Sequence, residues 1–231
     1  MRFFRTFGEA QNEIKRDLAE LSLSNTVPPM YQSKDVAGQE GFETLELMNY
    51  GFTVTRPDWR DLEDVHQAWF DQEWEDRLTG DLNPGIAWRR RPELWRPLLE
   101  NYVNDHHPGG FSYTYSIRMG GSKIQKIIDE IKKHPYSRQL YLPVWWQYDL
   151  DKLGVHRVPC SLGYWFVNRG GELHMTYMMR SCDFVNHWPN DVGLAARLLE
   201  LVAGHSDLGV GQFTQFVGSL HIYRKDVEGV F

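Results

Sequence analysis

Cysteine is scarce in this chain. Cys160 and Cys182 are the only two in 231 residues, which excludes a disulfide framework or a zinc site of ordinary ligand spacing and points to a reducing compartment. Single-thiol chemistry stays open. Long apolar runs are also missing: nothing approaches the roughly 18 consecutive apolar residues of a membrane span, and the opening MRFFRTFGEAQNEIKRDL scatters charge where a signal peptide would be apolar. The expectation is a cytoplasmic protein with no membrane partner. Excess positive charge is absent as well. A net charge of −6 excludes a broad basic face for direct nucleic-acid binding, while a local basic pocket for a small anion remains compatible with it. Internal repeats and low-complexity segments do not occur.

What the chain does have is 42% hydrophobic residues with nine tryptophans, enough for one substantial core, so residues 1–231 are read as a single domain. Ile14, Leu18 and Leu21 mark an amphipathic surface helix over 8–22, and FETLELMNYGF (42–52) alternates like a strand that Pro57 follows. Leu62, Val65 and Trp69 share a helical face over 62–78, and Glu73 falls on that same face, a carboxylate aimed inward. The stretch from GDLNP to HHPGGFS, rich in Pro, Gly and Trp, reads as irregular, with Arg89, Arg90, Arg91 and a short helix near Trp95. SKIQKIIDEIKKHP is a helix with Ser122 as N-cap and Pro135 as stop. RQLYLPVWW, GYWFVN and ELHMTYMM read as strands, the last two a hairpin through NRGG. Asp191 opens a buried helix, DVGLAARLLELVAG. FTQFVGSLHIY closes the order as a strand with Ser219, His221 and Tyr223 on one side. The mixture of helices and strands gives an α+β class.

Cys160 sits in HRVPC, just ahead of a strand. An isolated cysteine is more often a small buried hydrophobe than a nucleophile; a nucleophile needs a neighbouring cation to help it reach the thiolate, and Arg180 in RSCDFVNHWPND could supply it if folded beside Cys160. Cys182 reads as core. NDHHPGG offers Asp105, His106 and His107, but adjacent histidines in a Gly/Pro loop usually face solvent, and no metal is expected.

VPC, then RSCD after a hairpin, a buried helix and finally VGSLHIY together resemble thymidylate synthases and their relatives the phage deoxycytidylate hydroxymethylases. HPYSRQ resembles the family's Asp-Ser-Arg-Arg segment, and Glu73 precedes Trp95 by the family separation. The resemblance implies a mixed β-sheet with flanking helices, a homodimer through the sheet, a pyrimidine nucleoside monophosphate as substrate and 5,10-methylenetetrahydrofolate as co-substrate. It carries Cys160 to the nucleophile and Glu73 to the catalytic acid/base. Arg180, Ser181, Lys34 and, across the dimer, Arg138 take the phosphate positions, a use that suits a guanidinium fork. His221 and Tyr223 fall at the sugar, Tyr115 near the reacting base, and Trp95 and Asp183 on the folate side.

Within this resemblance the stretch Pro189-Asn190-Asp191 decides the substrate. Synthases end the motif in an asparagine whose amide donates to O4 and accepts from N3–H of uracil. Here Asn190 is followed by Asp191, the ending of the phage hydroxymethylases. A carboxyl group accepts from the cytosine amino group and, with a proton on either partner, also holds N3. An unmet polar group in that pocket costs roughly 1–3 kcal/mol, enough to select the base. The expectation is a hydroxymethyltransferase on dCMP or CMP. Its rivals are a thymidylate synthase or dUMP hydroxymethylase, and a catalytically silent nucleotide-binding homologue. Taken alone, Asp191 is also a good helix N-cap. Departures from the family are Gln139 for the second phosphate arginine, Trp165 for a glutamine near the substrate, His187 for a glycine beside folate, and a chain that runs only to Phe231 where synthases have a longer closing segment.

Overall fold

Alternation of large apolar and polar residues builds a sheet whose two faces differ. The computed structural model describes residues 1–21, 26–28, 39–80, 85–89 (backbone only at 88–89), 113–153 and 158–230. Strands β1 (Arg2–Phe4), β2 (Thr44–Val54), β3 (Tyr141–Pro143), β4 (Ser161–Arg169), β5 (Glu172–Asp183) and β6 (Gly209–Tyr223) form one sheet of six strands in the order β1-β2-β6-β5-β4-β3. The β1–β2 and β5–β6 pairs are parallel and the others antiparallel, so the sheet is mixed. Its inner face carries the register row Phe52, Gln215, Tyr177 and Tyr164, all completely buried. The neighbouring row on the outer face runs Thr53, Thr214, Thr176, Trp165 and Tyr141, ending on a side chain that is substantially exposed.

Helices α1 (Phe7–Ala19), α2 (Gln67–Thr79), α3 (Ile86–Arg89), α4 (Tyr115–Met119), α5 (Ser122–Lys133) and α6 (Trp188–His205) complete the described elements. The α6 helix is apolar on most sides because it packs against β5 and β6 and is itself covered by α2 and α5. Trp188 at its start is fully buried, with its indole N–H donating to Gln215 Oε1 at 2.8 Å. Gly193 lets α2 approach: a Cβ there would stand 2.7 Å from the Phe70 ring. The β4–β5 hairpin turns on Gly170 and Gly171, both with positive φ (64° and 83°), the backbone that a two-residue hairpin turn with native twist requires.

Several sequence expectations need correction. The helix expected over 62–78 begins only at Gln67, because Leu62 is extended after a short 3-10 turn (Trp59–Asp61) and Asp64 takes a positive φ of 62°. Its inward face is therefore Phe70, Glu73, Trp74 and Arg77, while Trp69 is half-buried. Gly121 precedes α5 as its N-cap and Ser122 is the first helical residue, with no side-chain capping bond. The α6 helix starts at Trp188 with His187 as N-cap and Pro189 in its first positions, so Asp191 lies inside the first turn and caps nothing. Of RQLYLPVWW only Tyr141–Pro143 is strand. The helix over 8–22 ends at Ala19, and its Phe7, Ala10, Ile14 and Leu18 belong to the core.

Candidate active site

Cys160 lies immediately before β4, at a register shift between Ser161 and Gly163 that redirects the strand end. Arg180, on the adjoining β5, closes over it. The Arg180 backbone N–H donates to Cys160 O at 2.9 Å, and its guanidinium donates to Pro159 O at 3.0 Å and Val158 O at 3.2 Å. This anchoring leaves Arg180 Nη2 3.6 Å and Ser181 Oγ 3.8 Å from the Cys160 sulfur. A cation and a hydroxyl thus flank the thiol, the setting in which sulfur works as a nucleophile. Cys182 differs: it is buried in the core, and burial pushes its thiol well up from the ordinary value.

A line of opposite charges runs from α2 to α6. Glu73 Oε1 accepts from Arg77 Nε at 3.0 Å, and Arg77 Nη2 reaches Asp191 Oδ1 at 3.4 Å. Glu73 and Arg77 are both buried, with side chains 7% and 5% exposed, against 18% for Asp191. Burial pushes Glu73 up, against the pull of Arg77, so this carboxyl group holds a proton more readily than an exposed one. Arg77 also lies over the Tyr115 ring, 4.5 Å from its centroid. Tyr115 is pushed well up by burial, with the charges of Cys160 and Asp191 acting in the same direction. Ser161 Oγ and the Tyr177 hydroxyl are 2.6 Å apart, and Tyr177 stacks on Tyr164 at 4.8 Å.

The ends of the parallel β5–β6 pair bring the third group together. Ser181 faces Ser219 and Asp183 faces His221 in register. Ser219 Oγ is 3.4 Å from His221 Nδ1, and the His221 and Tyr223 rings meet edge to face at 5.5 Å. Burial lowers His221, against the pull of Asp183, and pushes Tyr223 up to about 12. Asp183 holds the next turn: it accepts from Val185 N and Asn186 N at 3.1 Å each and from Asn186 Nδ2 at 2.8 Å.

Cys160, Arg180, Ser181, Asp183, Asp191, Glu73, Tyr115, His221 and Tyr223 thus come from three adjoining strand ends (β4, β5 and β6), α2, α4 and the first turn of α6. Asn190 has another duty, its Oδ1 accepting from His66 N at the start of α2 at 3.3 Å. Arg138 is exposed on the loop before β3, where its carbonyl accepts from the Trp165 indole at 3.0 Å. Exposed Gln139 shares that loop, and exposed His187 caps α6. Lys34, Trp95 and the Asp105, His106, His107 run lie outside the described residues. Among the described residues no group of three or more His, Cys, Asp or Glu is arranged to hold a metal, and no helix is long and apolar enough to cross a membrane. Sequence reasoning missed Arg77, although its position four residues after Glu73 is the spacing of a helical ion pair.

The mixed sheet thus presents one thiol beneath a guanidinium, with a buried ion pair on α2 that reaches the first turn of α6, and comparison with known proteins gives the family. The thymidylate synthase family profile matches residues 7–231. The chain is similar to the putative bifunctional dihydrofolate reductase-thymidylate synthase of Oryza sativa subsp. japonica, at 28% identity over 156 residues (67% of this chain, 28% of that protein). It resembles the bifunctional dihydrofolate reductase-thymidylate synthases of Paramecium tetraurelia, at 28% over 156 residues (67% of this chain, 30% of that protein), and of Zea mays, at 29% over 154 residues (67% and 27%). The matched stretch covers less than a third of each of these longer relatives. The chain belongs to the thymidylate synthase family.

Proposed function

We propose that this protein transfers a hydroxymethyl group to C5 of a cytidine monophosphate, dCMP or CMP, working as one domain in a homodimer. The observation that carries this reading is Asp191 in the first turn of α6, ion-paired with Arg77, at the position where the family's uracil readers have an amide. A carboxylate accepts from the cytosine amino group and repels O4 of uracil.

Cys160 adds to C6, the ring electrons move toward C5, and C5 becomes nucleophilic. Methylenetetrahydrofolate would supply the one-carbon unit at C5 and depart as tetrahydrofolate as C5 gives up its proton, and the Cys160–C6 bond breaks when water adds to the exocyclic carbon. Glu73, with its carboxyl raised by burial, relays protons and orders the water that gives the hydroxymethyl product. Arg180 and Ser181 hold the phosphate, joined by Lys34 and by Arg138 of the partner subunit, and His221 and Tyr223 hold the sugar. Arg180 then exchanges its bonds to the Val158 and Pro159 carbonyls for phosphate oxygens. Both Asp183 oxygens are engaged in the turn after β5, so its contribution on the folate side, beside Trp95, is to fix that turn. Support for the dimer comes from the outer sheet face, where Phe216 (42% exposed) and Tyr141 (41%) stand uncovered.

The names of the relatives favour a second reading, methylation of dUMP, which requires Asp191 to tolerate O4. Purified protein incubated with methylenetetrahydrofolate and CMP, dCMP or dUMP separates the two when products are identified by mass. The proposal expects 5-hydroxymethyl products from a cytosine nucleotide. Thymidylate from dUMP as the sole product contradicts it.

A further inference from the structure

An ionised Asp191 offers only acceptors, whereas the edge of neutral cytosine presents one donor, the amino group, and one acceptor, N3. A carboxylate alone leaves N3 facing an oxygen lone pair. Arg77 sits where it can resolve this conflict. Its Nε is bound to Glu73 at 3.0 Å and its Nη2 to Asp191 at 3.4 Å, while Nη1, buried, has no hydrogen-bond partner. A guanidinium is a rigid planar fork, so fixing Nε and Nη2 also fixes the direction of Nη1, and leaving such a donor unpaired in the interior is costly. Solvent reaches little of it, with 5% of the side chain exposed.

We infer that Arg77 is a specificity-determining residue: Nη1 donates to N3 of cytosine while Asp191 accepts from its amino group, so that two side chains read the edge an amide reads in the family's uracil readers. This rests on the reading of Asp191 as the base reader. It removes the need for a proton on Asp191 or on N3. It also adds a catalytic reason for a cation there. When the Cys160 sulfur bonds to C6, the C5=C6 pair shifts to C5–C4 and the C4=N3 pair moves onto N3. The negative charge therefore grows at the atom that Nη1 faces, and a prearranged donor is worth most where charge develops.

Among the described residues, the charged and titratable groups around this pair are Glu73 and Asp76 from α2, Tyr115 from α4, Cys160 and Tyr164 at β4, and Tyr177 and Cys182 from β5, with Arg180 beyond Cys160. Of these, Arg77 is the cation bonded to Asp191. Removing it forces the N3 hydrogen bond to depend on protonation of the base or of a carboxyl group.

The test is the dissociation constant of dCMP and CMP measured by tryptophan quenching from pH 6 to 8.5, for the wild type, Arg77→Met, Arg77→Lys and Asp191→Asn. Wild-type affinity is expected to vary little with pH. Arg77→Met should bind roughly 10- to 100-fold more weakly at pH 8 and recover as pH falls, and Arg77→Lys should restore part of the affinity without the recovery. Parallel pH profiles for wild type and Arg77→Met overturn the inference. Asp191→Asn binding cytosine nucleotides as the wild type does overturns the underlying reader instead. Should Arg77→Met fail to fold, the nitrogen resonance of N3-labelled dCMP bound to the wild type decides. An N3 without an attached proton supports Arg77 as donor, and a protonated N3 excludes it.

Discussion

Two buried arginines in this molecule have opposite surroundings. Arg118 on α4 is completely enclosed and makes two bonds to Asp149, at 2.9 and 2.7 Å, and a third to Val144 O at 3.2 Å. Trp146 and Tyr148 flank its guanidinium at 4.4 and 4.8 Å. Arg77 on α2, about as buried, has one good bond, one long one and a terminal nitrogen with none. The first cation holds three bonds, two of them a bidentate pair to one carboxylate, and leaves only its Nε without a partner, as suits a buried ion that holds structure. The second retains hydrogen-bonding capacity, and it does so beside the thiol, the raised carboxyl group and the base-reading position. Burial alone therefore does not distinguish a structural charge from a working one. Each leaves one buried nitrogen without a partner, and what separates them is where that nitrogen lies: a terminal one beside the candidate site in Arg77, Nε in Arg118.

The sharpest break in this comparison is expected at the site itself. Cys160→Ala should lower turnover by about 10⁴-fold or more, as loss of a covalent nucleophile does, with thermal stability almost unchanged; tritium release from C5-labelled nucleotide measures it. On the structural side, Arg118→Met should cost about 3–5 kcal/mol in urea unfolding, because Asp149 is left as a buried unpaired charge. Arg77→Met should cost less, about 1–3 kcal/mol, because Glu73 can take up a proton in place of its partner. Equal losses for the two arginines would erase the distinction. Asp191→Asn should shift preference toward uracil by roughly 10- to 100-fold in kcat/KM, corresponding to 1–3 kcal/mol.

The smallest expected effect concerns His221. Burial lowers its proton affinity in the folded state, so the unfolded chain binds a proton that the folded chain refuses. Its contribution is complete above the ordinary histidine value of about 6.5 and declines as pH falls through it. Thermal melts from pH 8 to 5.5 should show a shallower decline for His221→Gln than for the wild type.

Much of the sheet was legible in the sequence, because GYWFVN, ELHMTYMM and FTQFVGSLHIY alternate at period two and Gly170-Gly171 is a turn signal with a mechanism. The site was legible where strand order alone brings residues together, as it does for Cys160, Arg180, Asp183 and His221. It was not legible where position depends on packing between distant elements. Leu62 and Val65 match a helical face, yet the chain bends at Glu63 and Asp64, the latter at positive φ, and becomes helical only after His66, where Asn190 of α6 takes up the backbone N–H. Asp191 looked like a cap because local preference favours it there, but Pro189 marks the true start one turn earlier. Arg77 stood in DQEWEDR among acids that suggest a solvated helix, and only the approach of α6 at Gly193 turns it inward against Asp191.

The most direct test of the central claim is the rate of tritium release from C5-labelled dCMP or CMP in competition with dUMP, catalysed by the wild-type protein with methylenetetrahydrofolate. Release predominantly from a cytosine nucleotide, and none from either base with Cys160→Ala, is the predicted result. Release from dUMP alone would mean that the Asp191 carboxylate does not select the base.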